Sequence, residues 1–168
     1  MKKSITFLFA GIVAMSAVAE NYTVSVGTNS VAVVPDFRVD DGTVWSNNLV
    51  VAQGDYVVNT NSPASVYFAL TAATSTAMPT STASGVATIG GVKWLRVNTQ
   101  YRGGRRDNAI IFADSSATVY YTSDGSDATT EGSILDALRP ARAFPGEQRE
   151  INAIVSSGTA TIAVEIKR

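Results

Sequence analysis

The residues of this chain that could recognise a ligand are mainly aromatic. Two Trp, six Tyr and six Phe occur among 168 residues, whereas His and Cys are absent. Without imidazole or thiol groups, the chain lacks the usual general base, the Ser-His-Asp arrangement, thiolate nucleophiles and most zinc ligands. We therefore expect a protein that is not an enzyme, with no catalytic residue, no metal site and no cofactor. Recognition by stacking and hydrogen bonding is the chemistry that the composition favours.

The first candidate binding site lies between Trp45 and Trp94. Flat aromatic rings can stack against pyranose rings, and neighbouring amide and carboxylate groups can bind hydroxyl groups. The predicted partner is a glycan or another cell-surface polymer, and the candidate contact residues are Trp45, Asp55, Tyr56, Asn59, Tyr67 and Trp94. The alternative is that these rings fill the core, because a buried aromatic side chain removes about 150–250 Å² from water.

A second candidate site is the cluster of Arg102, Arg105 and Arg106 in a Gly-containing segment. Guanidinium groups bind phosphate or carboxylate through several planar donors, so this cluster could hold an anion. The alternatives are that the three side chains are solvated or that they contact another subunit.

Acidic residues could supply metal or catalytic chemistry. The segment from Asp124 to Asp127 places oxygen ligands close together, as a Ca²⁺ site would. No Glu stands at the distal EF-hand position, however, and Asp-Gly is a common turn former, so we expect a turn here and at Asp40-Asp41-Gly42. A glycosidase would need two carboxylates at a defined separation, which no sequence pattern specifies.

The N-terminal segment has the form of a cleavable signal peptide. Lys2 and Lys3 precede an apolar stretch at residues 5–15, and Ala17-Val18-Ala19 is a small-x-small cleavage site. The apolar stretch is shorter than the roughly 20 residues that span a bilayer. We expect cleavage after Ala19 and a mature chain that is periplasmic, extracellular or at the cell surface, without a membrane span.

Charge and cysteine content agree with an exported protein. Removal of Lys2 and Lys3 changes the formal net charge from −1 to −3. This weak, mixed charge does not favour nucleic acid as a partner. A chain of about 150 residues can bury enough surface to be stable without disulfides.

Strand-type alternation with frequent turn residues predicts an all-β, antiparallel fold. We expect either one β-sandwich or two small β modules, at residues 20–100 and 101–168. Residues 109–112 with 118–122, and 151–155 with 161–166, are predicted hairpins. Residues 71–84 are expected to form an irregular loop. At most one short helix is expected, from Ser133 to Leu138, because Pro140 would end it.

Two segments resemble known β modules. The first carries the motifs Trp45, Gln53-Gly54-Asp55-Tyr56-Val57-Val58, Val66-Tyr67-Phe68-Ala69, Met78-Pro79 and Gly90-Gly91-Val92-Lys93-Trp94. This order resembles small β modules of bacteriophage tail-fibre and other virion structural proteins, with a weaker similarity to small chitin-binding modules. Residues 109–166 resemble another short module of phage structural proteins. The resemblance implies that Gly54-Asp55 forms a turn before a strand and that Tyr67 and Trp94 pack or line a shallow surface.

Two functions follow as alternatives. The chain could be an exported, non-enzymatic binding module that recognises a glycan or another cell-surface ligand through its aromatic strands. It could instead be a structural subunit of a surface, fibre or virion-like assembly, in which copies of the chain contact one another as a homo-oligomer.

Overall fold

The computed structural model describes residues 19–39, 41–61, 65–80, 86–97, 108–113, 117–144 and 149–167. Nearly all of the predicted signal peptide, the three arginines Arg102, Arg105 and Arg106, and the predicted junction between the two modules lie outside these ranges. The described residues form strands and no helix. The strands are β1 (Ala19–Val26), β2 (Val31–Val34), β3 (Thr43–Val44), β4 (Leu49–Val51), β5 (Tyr56–Asn59), β6 (Ser65–Ala69), β7 (Ala73–Ser75), β8 (Val86–Ile89), β9 (Val92–Val97), β10 (Asn108–Ala113), β11 (Val119–Thr122), β12 (Ser133–Leu135), β13 (Ala141–Phe144), β14 (Ile151–Val155) and β15 (Ala160–Lys167).

These strands form three sheets and a ribbon. The first sheet has the order β1-β15-β10-β13, the second β12-β11-β14-β2, and the third β3-β5-β6-β9-β8, while β4 and β7 form a two-stranded ribbon. All pairs are antiparallel except β3 with β5. The prediction of an all-β, antiparallel fold is confirmed.

The first and the last strand that the structure describes pair in the same sheet. The longest pairing joins β1 to β15, from Ala19 opposite Lys167 to Val26 opposite Ala160. In the second sheet, β2 pairs with β14. The division into modules at residues 20–100 and 101–168 stays a prediction, although the pairing of β1 and β2 crosses it.

A single hydrophobic core joins the inner faces of the three sheets. It contains Val24 and Ile162 from the first sheet, Val33 and Ile151 from the second, and Phe68 from the third. Alternation explains these contributions, because successive side chains of a strand point to opposite faces. In β1, for example, the alternate residues Tyr22, Val24 and Val26 are buried. Burial of such side chains contributes about 1.5–3 kcal/mol each.

A smaller cluster lies on the opposite face of the third sheet. Val57, Tyr67 and Trp94 are buried there, and the ribbon of β4 and β7 covers them through Val51 and Ala73. The third sheet is therefore apolar on both faces.

The predicted helix from Ser133 to Leu138 is wrong. Residues 133–135 form β12, and Leu135 is buried opposite Val119 of β11. The chain then turns, because Asp136 Oδ1 accepts hydrogen bonds from the main-chain N–H groups of Leu138 and Arg139, each at 2.9 Å. Leu138 is 89% exposed in this turn.

Both predicted hairpins are also wrong. Strand β10 pairs with β13 and β15, whereas β11 pairs with β12 and β14. Similarly, β14 belongs to the second sheet and β15 to the first. The four-residue connection at 156–159 can reach about 13 Å, which is enough to cross the roughly 10 Å between facing sheets.

Residues 71–84, predicted as an irregular loop, contain a strand. Ala73–Ser75 forms β7, which pairs with β4 through Leu49 opposite Ser75. The loop prediction therefore fails at these residues, because short edge strands need little apolar periodicity of their own.

Within the described ranges, no helix is long and apolar enough to cross a membrane.

Candidate functional site

The two innermost rings of the predicted glycan site are core residues. Trp94 is 1% exposed and Tyr67 is 3% exposed. Their ring centroids lie 6.4 Å apart in an edge-to-face arrangement. The Trp94 indole donates a hydrogen bond to the Ile89 carbonyl at 3.2 Å, and burial raises the pKa of the Tyr67 phenol. Neither ring offers a face on which a pyranose could stack.

Trp45 is half-buried and links the ribbon to the third sheet through hydrogen bonds. Its main-chain N–H donates to the Val58 carbonyl at 3.0 Å, next to the parallel pairing of β3 with β5. Its indole Nε1 donates to Ser75 Oγ at 3.1 Å, and its ring packs on the smaller cluster. The indole N–H is thus already bonded within the chain.

The polar residues of the predicted site also have partners inside the protein. Asn59 is buried, and its side-chain amide donates to the Pro79 carbonyl at 2.7 Å. Asp55 is exposed, but its carboxylate accepts from the Ala52 N–H at 2.8 Å in the turn that precedes β5. The turn implied for Gly54-Asp55 is present, with Gly54 at φ +96°. These groups organise turns and loops.

Tyr56 forms a polar link between distant parts of the chain. Its hydroxyl accepts a hydrogen bond from the Asp36 N–H at 2.7 Å and donates one to Glu150 at 2.9 Å. Glu150 in turn accepts from Asn152 at 3.3 Å. Burial, reinforced by the Glu150 carboxylate, raises the pKa of the Tyr56 phenol, so the hydroxyl stays protonated and keeps donating. This link ties the third sheet to the segments that flank β2 and β14.

Tyr56→Phe is expected to lower the free energy of unfolding by about 1–3 kcal/mol, because it removes one donor and one acceptor from a half-buried network. Urea denaturation followed by circular dichroism measures this difference. Glu150→Gln keeps an acceptor oxygen for the phenol and is expected to cost less. Equal stability of Tyr56→Phe and the wild-type protein would contradict the proposed importance of the link.

The Asp124 segment is a turn. Asp124 Oδ1 accepts from the Ser126 N–H at 2.9 Å and from Ser126 Oγ at 2.6 Å, and these bonds lower the pKa of the Asp124 carboxyl. Among the residues that the structure describes, no group of three or more metal-ligating side chains comes together. The Asp124 carboxylate therefore accepts its hydrogen bonds from within its own turn.

Phe112 marks a surface that the sequence reasoning missed. A shallow depression of about 390 Å³ lies beside its ring and is lined by residues of the first sheet together with Lys93 of β9. The lining residues are Asn21, Tyr22, Thr23, Lys93, Phe112, Ala163, Val164 and Glu165. Phe112 is 39% exposed, while its neighbour Ile111 is fully buried. Ile110-Ile111-Phe112 is a continuous apolar run, so only the pairing of β10 identifies which of its side chains lie on the outer face.

The predicted site residues therefore come together only in part, and mostly as core. Trp45, Tyr67 and Trp94 meet around the smaller cluster, whereas Tyr56 lies against the main core. The sequence matches no protein-family model and no curated protein.

Proposed function

We propose that the mature protein is an exported, non-enzymatic structural subunit of a surface, fibre or virion-like assembly. Copies of the chain contact one another through the outer face of the first sheet. The observation that carries this proposal is the exposed Phe112 ring on the outer face of that sheet, in a row of residues that carries no charge. The resemblance of two segments to modules of phage structural proteins agrees with the same role.

Strand pairing defines the centre of this face. Phe112 lies between Ala141 of β13 and Ala163 of β15, and Ala163 lies opposite Thr23 of β1. Ala141, Ala163 and Thr23 are exposed. One large ring is thus flanked by small side chains, and this row of the sheet has no charge.

The next row has the same character. Ile110 lies between Ala143 and Glu165, and Glu165 lies opposite Asn21. Glu165 is the one carboxylate in this row. Glu165 in this row and Lys93 in the lining of the depression are the charges that a covering protein surface would have to pair or desolvate.

The shape of the face supports a second copy of the chain as its partner. A two-fold contact brings the same patch of two copies together, so a knob on the patch needs a hole on the same patch. Phe112 is the knob, and the depression above Ala163 is the hole. Because both lie on one face, two copies can seat each ring against the small residues of the other.

The size of the face predicts a weak contact between individual copies. Four strands spaced about 4.8 Å apart and about six residues long cover roughly 400 Å². Stable pairs bury about 800 Å² on each partner. We therefore expect reversible association in solution that becomes tight only where many copies are held together, because linked contacts reinforce one another.

Sedimentation velocity over a wide concentration range tests this proposal. The mature wild-type protein is expected to self-associate reversibly. Phe112→Asp and Ala163→Arg are expected to abolish the association, whereas Val50→Asp is expected to retain it because Val50, 78% exposed, belongs to the ribbon of β4 and β7. A wild-type protein that stays strictly monomeric at the highest concentration, or a loss that Val50→Asp reproduces, would contradict the proposal.

Glycan recognition remains the second candidate, at a different place from the predicted one. The depression combines the Phe112 ring with the Asn21 amide, the Lys93 ammonium and the Glu165 carboxylate. An aromatic face with hydrogen-bonding groups around it could receive a sugar ring. A glycan array measured with wild-type protein and Phe112→Ala distinguishes this function, since a structural subunit without glycan affinity gives no signal that depends on Phe112.

A further inference from the structure

Two Asp-Gly dipeptides occur in the described part of the chain, Asp41-Gly42 and Asp124-Gly125. In such a dipeptide the glycine nitrogen can attack the side-chain carboxyl carbon of the aspartate, because no Cβ on the following residue hinders the approach. The new N–C bond closes a five-membered succinimide. The carboxyl hydroxyl leaves as water together with the amide proton.

Water then reopens the ring at one of its two carbonyls. Addition at the side-chain carbonyl restores aspartate, whereas addition at the main-chain carbonyl yields isoaspartate. In isoaspartate the main chain runs through the former side chain and is one methylene longer. The net change is an isomerisation, so it needs no oxidant, reductant or other reactant besides water.

We propose that Asp41-Gly42 is a site of spontaneous isoaspartate formation in the folded protein. The Gly42 nitrogen lies 2.7 Å from Asp41 Oδ1, so the carboxyl group is folded back onto the nucleophile. The atom that this nitrogen attacks is Cγ, which is bonded to Oδ1, and the hydrogen bond keeps the two reacting groups next to each other. Asp41 is exposed, and water therefore reaches both the carboxyl group and the ring that would form.

The hydrogen bonds of Asp124-Gly125 disfavour the same reaction. The Gly125 N–H donates to the Glu150 carbonyl at 3.1 Å, which directs it away from its own aspartate. The Asp124 carboxylate accepts from the N–H and the hydroxyl of Ser126. We therefore expect these two dipeptides of identical sequence to differ in reactivity, because the Gly125 nitrogen is bonded to a distant residue and the Asp124 carboxylate to its own turn.

The close packing around residue 42 requires a glycine at this position. A Cβ at Gly42 would lie 2.5 Å from the main-chain oxygen of Tyr56, closer than any real contact. Gly42 therefore cannot be exchanged for a residue that shields Asp41 without moving β5. Isomerisation would lengthen the chain next to this contact and beside the pairing of Thr43 with Val57, so we expect it to loosen β3.

Enzymatic methylation of isoaspartate, followed by peptide mapping, tests the proposal on the mature chain incubated in its folded form. Label at residue 41 is expected to exceed label at residue 124 several-fold. The same incubation in concentrated urea is expected to bring the ratio close to one, because the contacts that distinguish the dipeptides are lost. Asp41→Glu is expected to abolish the label at this position, since the corresponding six-membered ring closes far more slowly.

Hydrogen exchange supplies an independent measurement. In the isomerised fraction, the Trp45 amide, which donates to the Val58 carbonyl, is expected to lose protection, whereas the amides of β15 keep theirs. Equal label at residues 41 and 124 in the folded protein would overturn the proposal. Label at residue 124 that exceeds label at residue 41 would overturn it as well.

Discussion

Phe68→Ala is expected to lower the free energy of unfolding by about 3–5 kcal/mol, the range for large-to-small substitutions of buried aromatic residues. Phe68 is fully buried in β6, in the middle of the third sheet. Its ring lies 5.2 Å from that of Tyr56, and it stands opposite Leu95 of β9. Its side chain also belongs to the core that joins the three sheets, so its loss opens a cavity that no single strand can close.

Urea denaturation monitored by circular dichroism measures this effect. Domains of this kind are stable by about 5–15 kcal/mol, so the substitution would remove a large part of the total. Val50→Ala is the matched control, since Val50 is 78% exposed and its loss opens no cavity. A Phe68→Ala protein as stable as the control would mean that the three sheets do not depend on a shared core.

Gly90→Ala is expected to lower the free energy of unfolding by about 2–5 kcal/mol, through a left-handed main chain and a steric overlap together. Gly90 and Gly91 form the two-residue connection between β8 and β9, with Ile89 opposite Val92. Their φ angles are +60° and +87°. Such a connection requires positive φ at both residues, which L residues with a Cβ adopt only at a cost.

Gly91→Ala separates the two contributions. A Cβ at Gly90 would lie 2.4 Å from the Ala77 nitrogen, whereas a Cβ at Gly91 would meet Thr74 O at an ordinary 3.6 Å. We therefore expect Gly91→Ala to cost about 1–2 kcal/mol, from main-chain strain alone. Thermal unfolding of both variants, each compared with wild type, measures the difference. Equal losses would contradict the close approach of Gly90 to residue 77.

Local patterns predicted which segments are strands better than how the strands pair. The alternation at 161–166 correctly places Ile162, Val164 and Ile166 on a buried face. The same alternation occurs whether the neighbouring strand lies beside it or across the core, so the alternation does not distinguish a hairpin at 156–159 from the observed connection between two sheets. A short turn between two alternating strands is compatible with both arrangements, and only contacts with distant strands decide between them.

The helix error has a similar origin. Ser133 to Leu138 has helix-compatible composition, but Val119 of β11 offers Leu135 a partner in the second sheet. Asp136 then stabilises a turn with its side chain. Tertiary pairing outweighed a weak local preference, as is common for short segments.

The sequence also does not decide whether the candidate site is a binding surface or part of the core. Aromatic side chains between Trp45 and Trp94 are equally suited to stacking on a sugar and to filling a core, because both uses depend on the same apolar area. The ribbon of β4 and β7 covers Tyr67 and Trp94 and thereby places them inside. Phe112 is not among the site residues predicted from the sequence, yet it is the one exposed aromatic residue in the part of the chain that the structure describes.

The sequence by itself determined the chemistry that this protein lacks and the class of its fold. Absence of His and Cys excludes imidazole and thiolate groups, and alternation with turn residues specifies strands, because both properties depend on residue type and on neighbours along the chain. Only the tertiary structure decided which rings are buried, which face of the first sheet is open and which Asp-Gly dipeptide is poised to react. Those outcomes depend on contacts between residues far apart in sequence, such as Asp36 with Tyr56 and Gly125 with Glu150.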